Sequence, residues 1–405
     1  MSWRRSGAVV VLALGLVGVT MARGAAPTDD ELVARYFTPA EVERGSNLGN
    51  HRAALYFADQ ALTLAVLAAL AFSGAGQRLA QRARGPGRGA ALGLTLEVLA
   101  VVAVASAVAL PLDAYRGFVL ERQLGLSTQG AAGWAWDWVL ERGILAALVV
   151  AAALVVDAVQ RRLPRAWWVA SWVAVTSGTV VFLYLQPLVI APLFNTFRPV
   201  PPGALRDGCT RIARDAGIPI SEVYVIDASR RTKRYNAYFT GVGATRSIAL
   251  HDTLVDGVPL AQTLTVVGHE AGHWVHQHLL RGIAISAVIT FVALWAAARP
   301  RVLAAWPLAR AGAVARFLLY ACAVAGALMP VECALSRQME AEADLTGLTL
   351  SHDPHATVEM MVALARSNLS NLRPHPFVYA WLYTHPAVPE RIRMALEFDP
   401  KATAR

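Results

Sequence analysis

Apolar residues gather in blocks along this chain of 405 residues. Blocks at about 7–21, 53–73, 90–112, 143–160, 167–190, 283–298 and 313–331 hold almost no charge. A bilayer core takes roughly 20 apolar residues in helical form, so the pattern predicts a polytopic membrane protein of about seven transmembrane helices. Between 195 and 282 the pattern changes. FRPVPPG (197–203) is a proline-rich break, and ALRDGCTRIARDAG (204–217) has helical periodicity with a stop at Gly217. SEVYVIDAS (221–229) alternates and reads as a strand. YNAYFTGVG and RSIALHDTL read as two more strands around a glycine-rich turn. One long helix, VPLAQTLTVVGHEAGHWVHQHLL, then opens after Pro259, and a polar helical tail follows the last two apolar blocks. The expected fold class is mainly α with a small β-sheet. It divides into a signal-like first helix (1–23), an N-terminal transmembrane region (24–194) and a C-terminal domain (195–405). That last domain includes two further transmembrane helices, at about 283–298 and 313–331.

Composition agrees with a bilayer: 56% of residues are hydrophobic and 16% charged. The net charge of +9 is no sign of a nucleic-acid partner. Basic residues lie in short runs between apolar blocks, such as QRLAQRARGPGR (77–88), where they anchor helices against anionic lipid. Three cysteines, Cys209, Cys322 and Cys333, show no CxxC spacing, which excludes a disulfide framework and a cysteine zinc site. MSWRR followed by GAVVVLALGLVGV fits a secretory signal peptide and equally an uncleaved first membrane helix.

Against that apolar background, ten residues of the long helix hold four of the chain's ten histidines. His269, Glu270 and His273 form H-E-x-x-H. Residues four apart on a helix share one face, so two imidazoles can reach one metal ion, with a carboxylate beside them to take a proton from water. This suits one Zn²⁺ per chain. His276 and His278 read as polar residues at a wet helix end. A catalytic zinc needs a third protein ligand. In SRQMEAEADLTG (336–347), Glu340 and Asp344 share a helix face, whereas Glu342 points elsewhere and has Thr346 four residues on. Glu340 is therefore the expected ligand, and Asp344 the group that holds a ligand histidine by its other ring nitrogen.

With these motifs in view, the chain resembles the zinc-dependent CAAX prenyl endoproteases, the a-factor-converting membrane metallopeptidases. PLFNTFRPVP (192–201), VYVIDASRRTKRYNAYF (223–239), HEAGHWVHQH, SRQMEAEAD (336–344) and NLSNLRPHPFVYAWLYTHPAVPERI (368–392) carry the resemblance, in that family's order. HEAGH stands where HELGH is more usual. The resemblance implies a barrel of tilted helices around a wet chamber faced by the zinc site. It implies that Asn236, Ala237, Tyr238 and Phe239 form the edge strand on which an extended peptide docks, and that His385 stabilises the developing oxyanion. His375 matches no role.

The expected function is membrane-integral zinc endopeptidase. The expected partners are a peptide or protein substrate, lipidated or not, and membrane lipids, with no nucleic acid and no reading of oligomeric state. Quality control of membrane proteins and a non-proteolytic scaffold of the same fold are the alternatives. The scaffold would be marked by loss of Glu270, a ligand or His385, and all are present. A transporter would show paired, interrupted halves, and none are visible. The expected location is a bacterial inner membrane. Arg4 and Arg5, Arg78 to Arg88, Arg161 to Arg165, and Arg299 to Arg310 fall on one side if all seven runs span. Short arginine-rich loops are cytoplasmic, which predicts a zinc domain on the extracytoplasmic side.

Overall fold

The computed structural model describes residues 27–240, 246–299 and 307–399. The first apolar block, 7–21, lies outside them, and so do Arg4, Arg5 and Arg301. The other six blocks all become helices long and apolar enough to cross a membrane. A short helix α1 (Asp29–Tyr36) precedes the first of them, α2 (Pro39–Phe72). Thr28 and Thr38 start these two helices, and each exchanges hydrogen bonds with a glutamate three residues on. The helix α3 (Gly74–Arg84) turns the chain back into α4 (Ala90–Gln123), α5 (Ala131–Arg162) and α6 (Trp167–Phe194).

These helices leave large apolar side chains uncovered, for instance Val173 at 52% exposure and Val288 at 64%. Faces of that kind demand hydrocarbon rather than water, so the chain is an integral membrane protein. Three buried acids within the spans are paired with arginine. Glu97 meets Arg84, Asp113 meets Arg116 at 3.0 Å and Arg142 at 3.3 Å, and Asp157 meets Arg161 at 2.5 Å.

Next come β1 (Phe197–Pro199), α7 (Ala204–Asp215), β2 (Glu222–Ile226), β3 (Ala237–Thr240) and β4 (Ser247–His251). The sheet order is β1-β2-β4-β3, with β2 and β4 parallel and the outer pairings antiparallel. Among the described residues β3 is therefore an edge strand, which begins one residue after Asn236. Then α8 (Asp252–Gly257) leads into α9 (Leu260–Val275), α10 (His278–Ala297) and α11 (Ala313–Ser351). The chain closes with α12 (Pro354–Asn368), α13 (Pro376–Leu382) and α14 (Val388–Glu397). Leu250, Leu254, Val267, Ala271, Met360 and Ile392 lie in one buried core that ties the sheet, α9, α12 and α14 together.

Two departures from expectation follow from local geometry. The long helix after Pro259 is not continuous. Gln277 takes a left-handed conformation (φ 53°), which stops α9 and lets His278 begin the membrane helix α10 in a new direction. Conversely, the last apolar block and the polar helix after it are one helix. Its 39 residues run from one end of the membrane region, at Gly312, through Glu340, about 40 Å further on.

The two ends differ in charge. Arg84 donates to the carbonyls of Leu308 and Ala309, and the Leu308 amide donates to Gln160, so the turns near 84, 160 and 308 meet at one end. Among the described residues, 73–89, 158–166, 298–299 and 307–312 contain nine arginines and no acid. At the other end Arg234 pairs with Glu121 at 2.7 Å and Arg231 with Asp137 at 2.6 Å, joining the sheet region to α4 and α5.

Candidate functional site

The site is built where α9 and α11 cross at backbone contact. A Cβ added at Gly272 would lie 2.7 Å from the Ala343 Cα, and one at Gly347 2.8 Å from the His269 nitrogen. Glycine is required at both places, because any side chain would hold the helices apart. Their approach brings three donors to one point. His269 Nε2 and His273 Nε2 are 3.2 Å apart. Glu340 offers Oε2 at 3.2 Å from His269 Nε2 and Oε1 at 3.5 Å from His273 Nε2. Glu270 shares the cluster, its carboxylate within 4.8 Å of both imidazoles.

Each histidine is held from behind. His269 Nδ1–H donates to Asp344 Oδ1 at 2.8 Å, and Arg391 binds the same carboxylate with two hydrogen bonds of 2.7 and 2.5 Å. His273 Nδ1 lies 2.9 Å from His278 Nδ1. With both Nδ1 atoms engaged, the two Nε2 lone pairs face each other and the carboxylate. Glu340 Oε2 has no hydrogen-bond partner although it is buried. Buried acceptors without donors are costly unless a cation lies among them. Bonds of 2.0–2.2 Å in a tetrahedral site place neighbouring ligands about 3.3–3.6 Å apart, close to the spacing of these three groups. The residues present therefore fit a divalent metal bound by two nitrogens and a carboxylate.

The electrostatics run the same way. Burial opposes charge on His269, but the Asp344 carboxylate outweighs it and holds the imidazole up to about 10. Burial pushes the Glu270 carboxyl up to about 7, with the positive field of His269 acting against it. Burial and the charge of His269 push His273 down to about 4.

His385 joins the group across the cavity, its Nε2 at 3.3 Å from Glu340 Oε2. A cavity of about 530 Å³ is lined by His269, Glu270, His385, Arg391 and Asn236, among others. Of the strand segment 236–239, only Asn236 lines it, while Ala237 is buried and Phe239 packs on the core. The strand therefore offers backbone, not side chains, beyond Asn236. Glu342 turns away, toward His278 and Arg281. His375 accepts from the Phe377 amide at 3.2 Å and caps α13.

Two residues escape a reading of the sequence. Arg391 lies 47 positions from Asp344, and no local spacing links them. His278, expected at a wet helix end, is buried at 6% exposure, because the Gln277 turn swings it back onto His273. His276, nearer in helical phase, bonds instead to Thr346 Oγ1 at 2.9 Å.

Residues 201–398 match peptidase family M48, and residues 23–196 match the CAAX prenyl protease N-terminal region of five membrane helices. An uncharacterized metalloprotease of Bacillus subtilis, YhfN, is 29% identical over 309 residues, 72% of this chain and 70% of that one. CAAX prenyl protease 1 of Saccharomyces cerevisiae is 25% identical over 317 residues, 70% of this chain and 67% of its own. The crystal structure of S. mikatae Ste24p superposes with a TM-score of 0.70 at 23% identity, covering 77% of each chain, and shows the same fold.

Proposed function

The chain belongs to peptidase family M48 with the membrane region of the CAAX prenyl proteases, and from that premise we propose that it is a zinc endopeptidase that cleaves extended segments of membrane-associated proteins. The observation that carries this reading is Glu340 Oε2, buried without a formed hydrogen bond and set 3.2 and 3.3 Å from the Nε2 atoms of His269 and His385. His269, His273 and Glu340 would hold the metal. Bound zinc supplies Lewis acidity toward a carbonyl and acidifies water.

The remaining chemistry belongs to the chain. A peptide extended along β3 adds a strand to the sheet edge, and Asn236 fixes its register at the cavity mouth. Glu270, raised by burial, is a base strong enough to take the proton of the attacking water and hand it to the departing amine. His385, half exposed opposite Glu340, donates to the oxyanion. Asp344 and Arg391 keep His269 oriented throughout.

The curated relatives named as CAAX prenyl proteases support a substrate anchored in the membrane, and a prenyl group is one such anchor. The arginine-rich, acid-free loops gathered at the end remote from the site support a site on the extracytoplasmic side of a bacterial inner membrane. The test compares membranes carrying the wild type and Glu270→Gln by proteomics of cleavage products. The variant keeps its zinc and loses cleavage by roughly 10²–10⁴-fold. Retention of more than a few per cent of activity would remove Glu270 as the base.

A further inference from the structure

We propose that His278, backed by Glu342 and Arg281, is a positioning residue that fixes the tautomer and orientation of His273. This rests on the zinc reading above. The hydrogen-bond directions assign themselves from the far end. Arg281 pairs with Glu342, so Glu342 is an ionised carboxylate and only accepts. His278 Nε2, 2.9 Å from Glu342 Oε2, must then carry the proton. With its proton on Nε2, His278 accepts at Nδ1 from the His273 Nδ1–H at 2.9 Å. His273 is thereby committed to presenting an unprotonated Nε2 to Glu340 and His269, the one form that binds a metal.

The two histidines of the motif are thus held by different means. His269 rests directly on a carboxylate, Asp344, which Arg391 clamps. His273 reaches its carboxylate through a second imidazole. The relay is possible only because the chain turns at Gln277. His278 is buried at 6% exposure, and the His276 ring lies nearly parallel to it, 17° between planes and 5.5 Å between centroids. Glu342 and Arg281 are more exposed, at 38% and 44%, so their pair contributes little stability and acts by aiming a proton. His278 also begins the membrane helix α10. The bond from His273 therefore fastens α9 to the start of a membrane span, so the orientation of a ligand depends on how that span leaves the membrane surface.

The experiment uses the full-length protein in detergent, with zinc affinity read by chelator competition. Far-UV circular dichroism and the melting temperature of the zinc-free protein report folding. Wild type binding one zinc per chain is the premise; its failure sinks the zinc reading itself and is seen before any variant is made. His278→Ala weakens zinc binding by roughly 10–100-fold while the zinc-free melting temperature stays at the wild-type value. His278→Gln, whose amide oxygen can accept from His273, recovers part of the loss. The cobalt-loaded His278→Ala protein has an altered visible spectrum, because a ligand has lost its orientation. Glu342→Ala, at a half-exposed position that folding tolerates, weakens zinc by a smaller factor and decides the matter if His278→Ala does not fold. Affinity equal to wild type in His278→Ala, or in Glu342→Ala when only that variant folds, overturns the proposal. So does a loss in His278→Ala that merely tracks a lower zinc-free melting temperature.

Discussion

Gly272→Ala is the smallest change that separates the two helices of the site. The added methyl group would sit 2.7 Å from the Ala343 Cα and 2.8 Å from the Ala343 carbonyl oxygen. Both are backbone atoms of α11, so no side chain can swing aside. Ordinary contact begins near 3.4 Å, and α11 must retreat by about 0.7 Å to reach it. Ala343 lies between Glu340 and Asp344 on the same helix, and both move with it. Metal ligands tolerate about 0.2 Å, and a misplacement of about 1 Å in a catalytic site costs on the order of 10²-fold in rate. The expected result is a peptide-cleavage rate down by about 10²-fold, with zinc bound more weakly by the same chelator assay. Gly282→Ala is the control, since a Cβ there meets nothing within 4 Å. Wild-type zinc affinity and wild-type rate in Gly272→Ala would show that the helix contact does not set the ligand geometry.

Other substitutions test the assignments one at a time. Glu340→Ala loses zinc on purification, whereas Glu342→Ala keeps one zinc per chain under the same conditions; metal analysis showing the reverse would exchange their roles. Arg391→Met leaves the Asp344 carboxylate buried without its cation and lowers stability by about 3–5 kcal/mol, read from denaturation midpoints in micelles. An unchanged midpoint would mean that His269 alone satisfies Asp344. Alkaline phosphatase fused after Arg405 is active in a Gram-negative host if the site faces outward, and a fluorescent reporter that lights only in the cytoplasm at that position would reverse the orientation.

The sequence by itself determined what short-range periodicity can encode. Six apolar runs of near-membrane length became six long helices, because covering an apolar stretch in lipid leaves the helix as the only form that satisfies its own backbone. The spacing of His269 and His273 put both on one face of α9, and the spacing of Glu340 and Asp344 put both on one face of α11. The alternation in 222–226 became β2 and the strand-like run after the glycine-rich turn became β4 (Ser247–His251), although their parallel pairing is written nowhere in either segment. Tertiary structure decided the rest. Glu340 lies 71 positions from His269, and only the glycine contact of α9 with α11 brings them together. Arg391 comes to Asp344 because α14 packs beside the site on the common core. The sharpest case is His278. Helical phase alone turns it away from His273, and one left-handed residue at Gln277 cancels that phase. A pattern of spacings carries the geometry of a single helix. It carries neither the break that ends the helix nor the neighbours met after it.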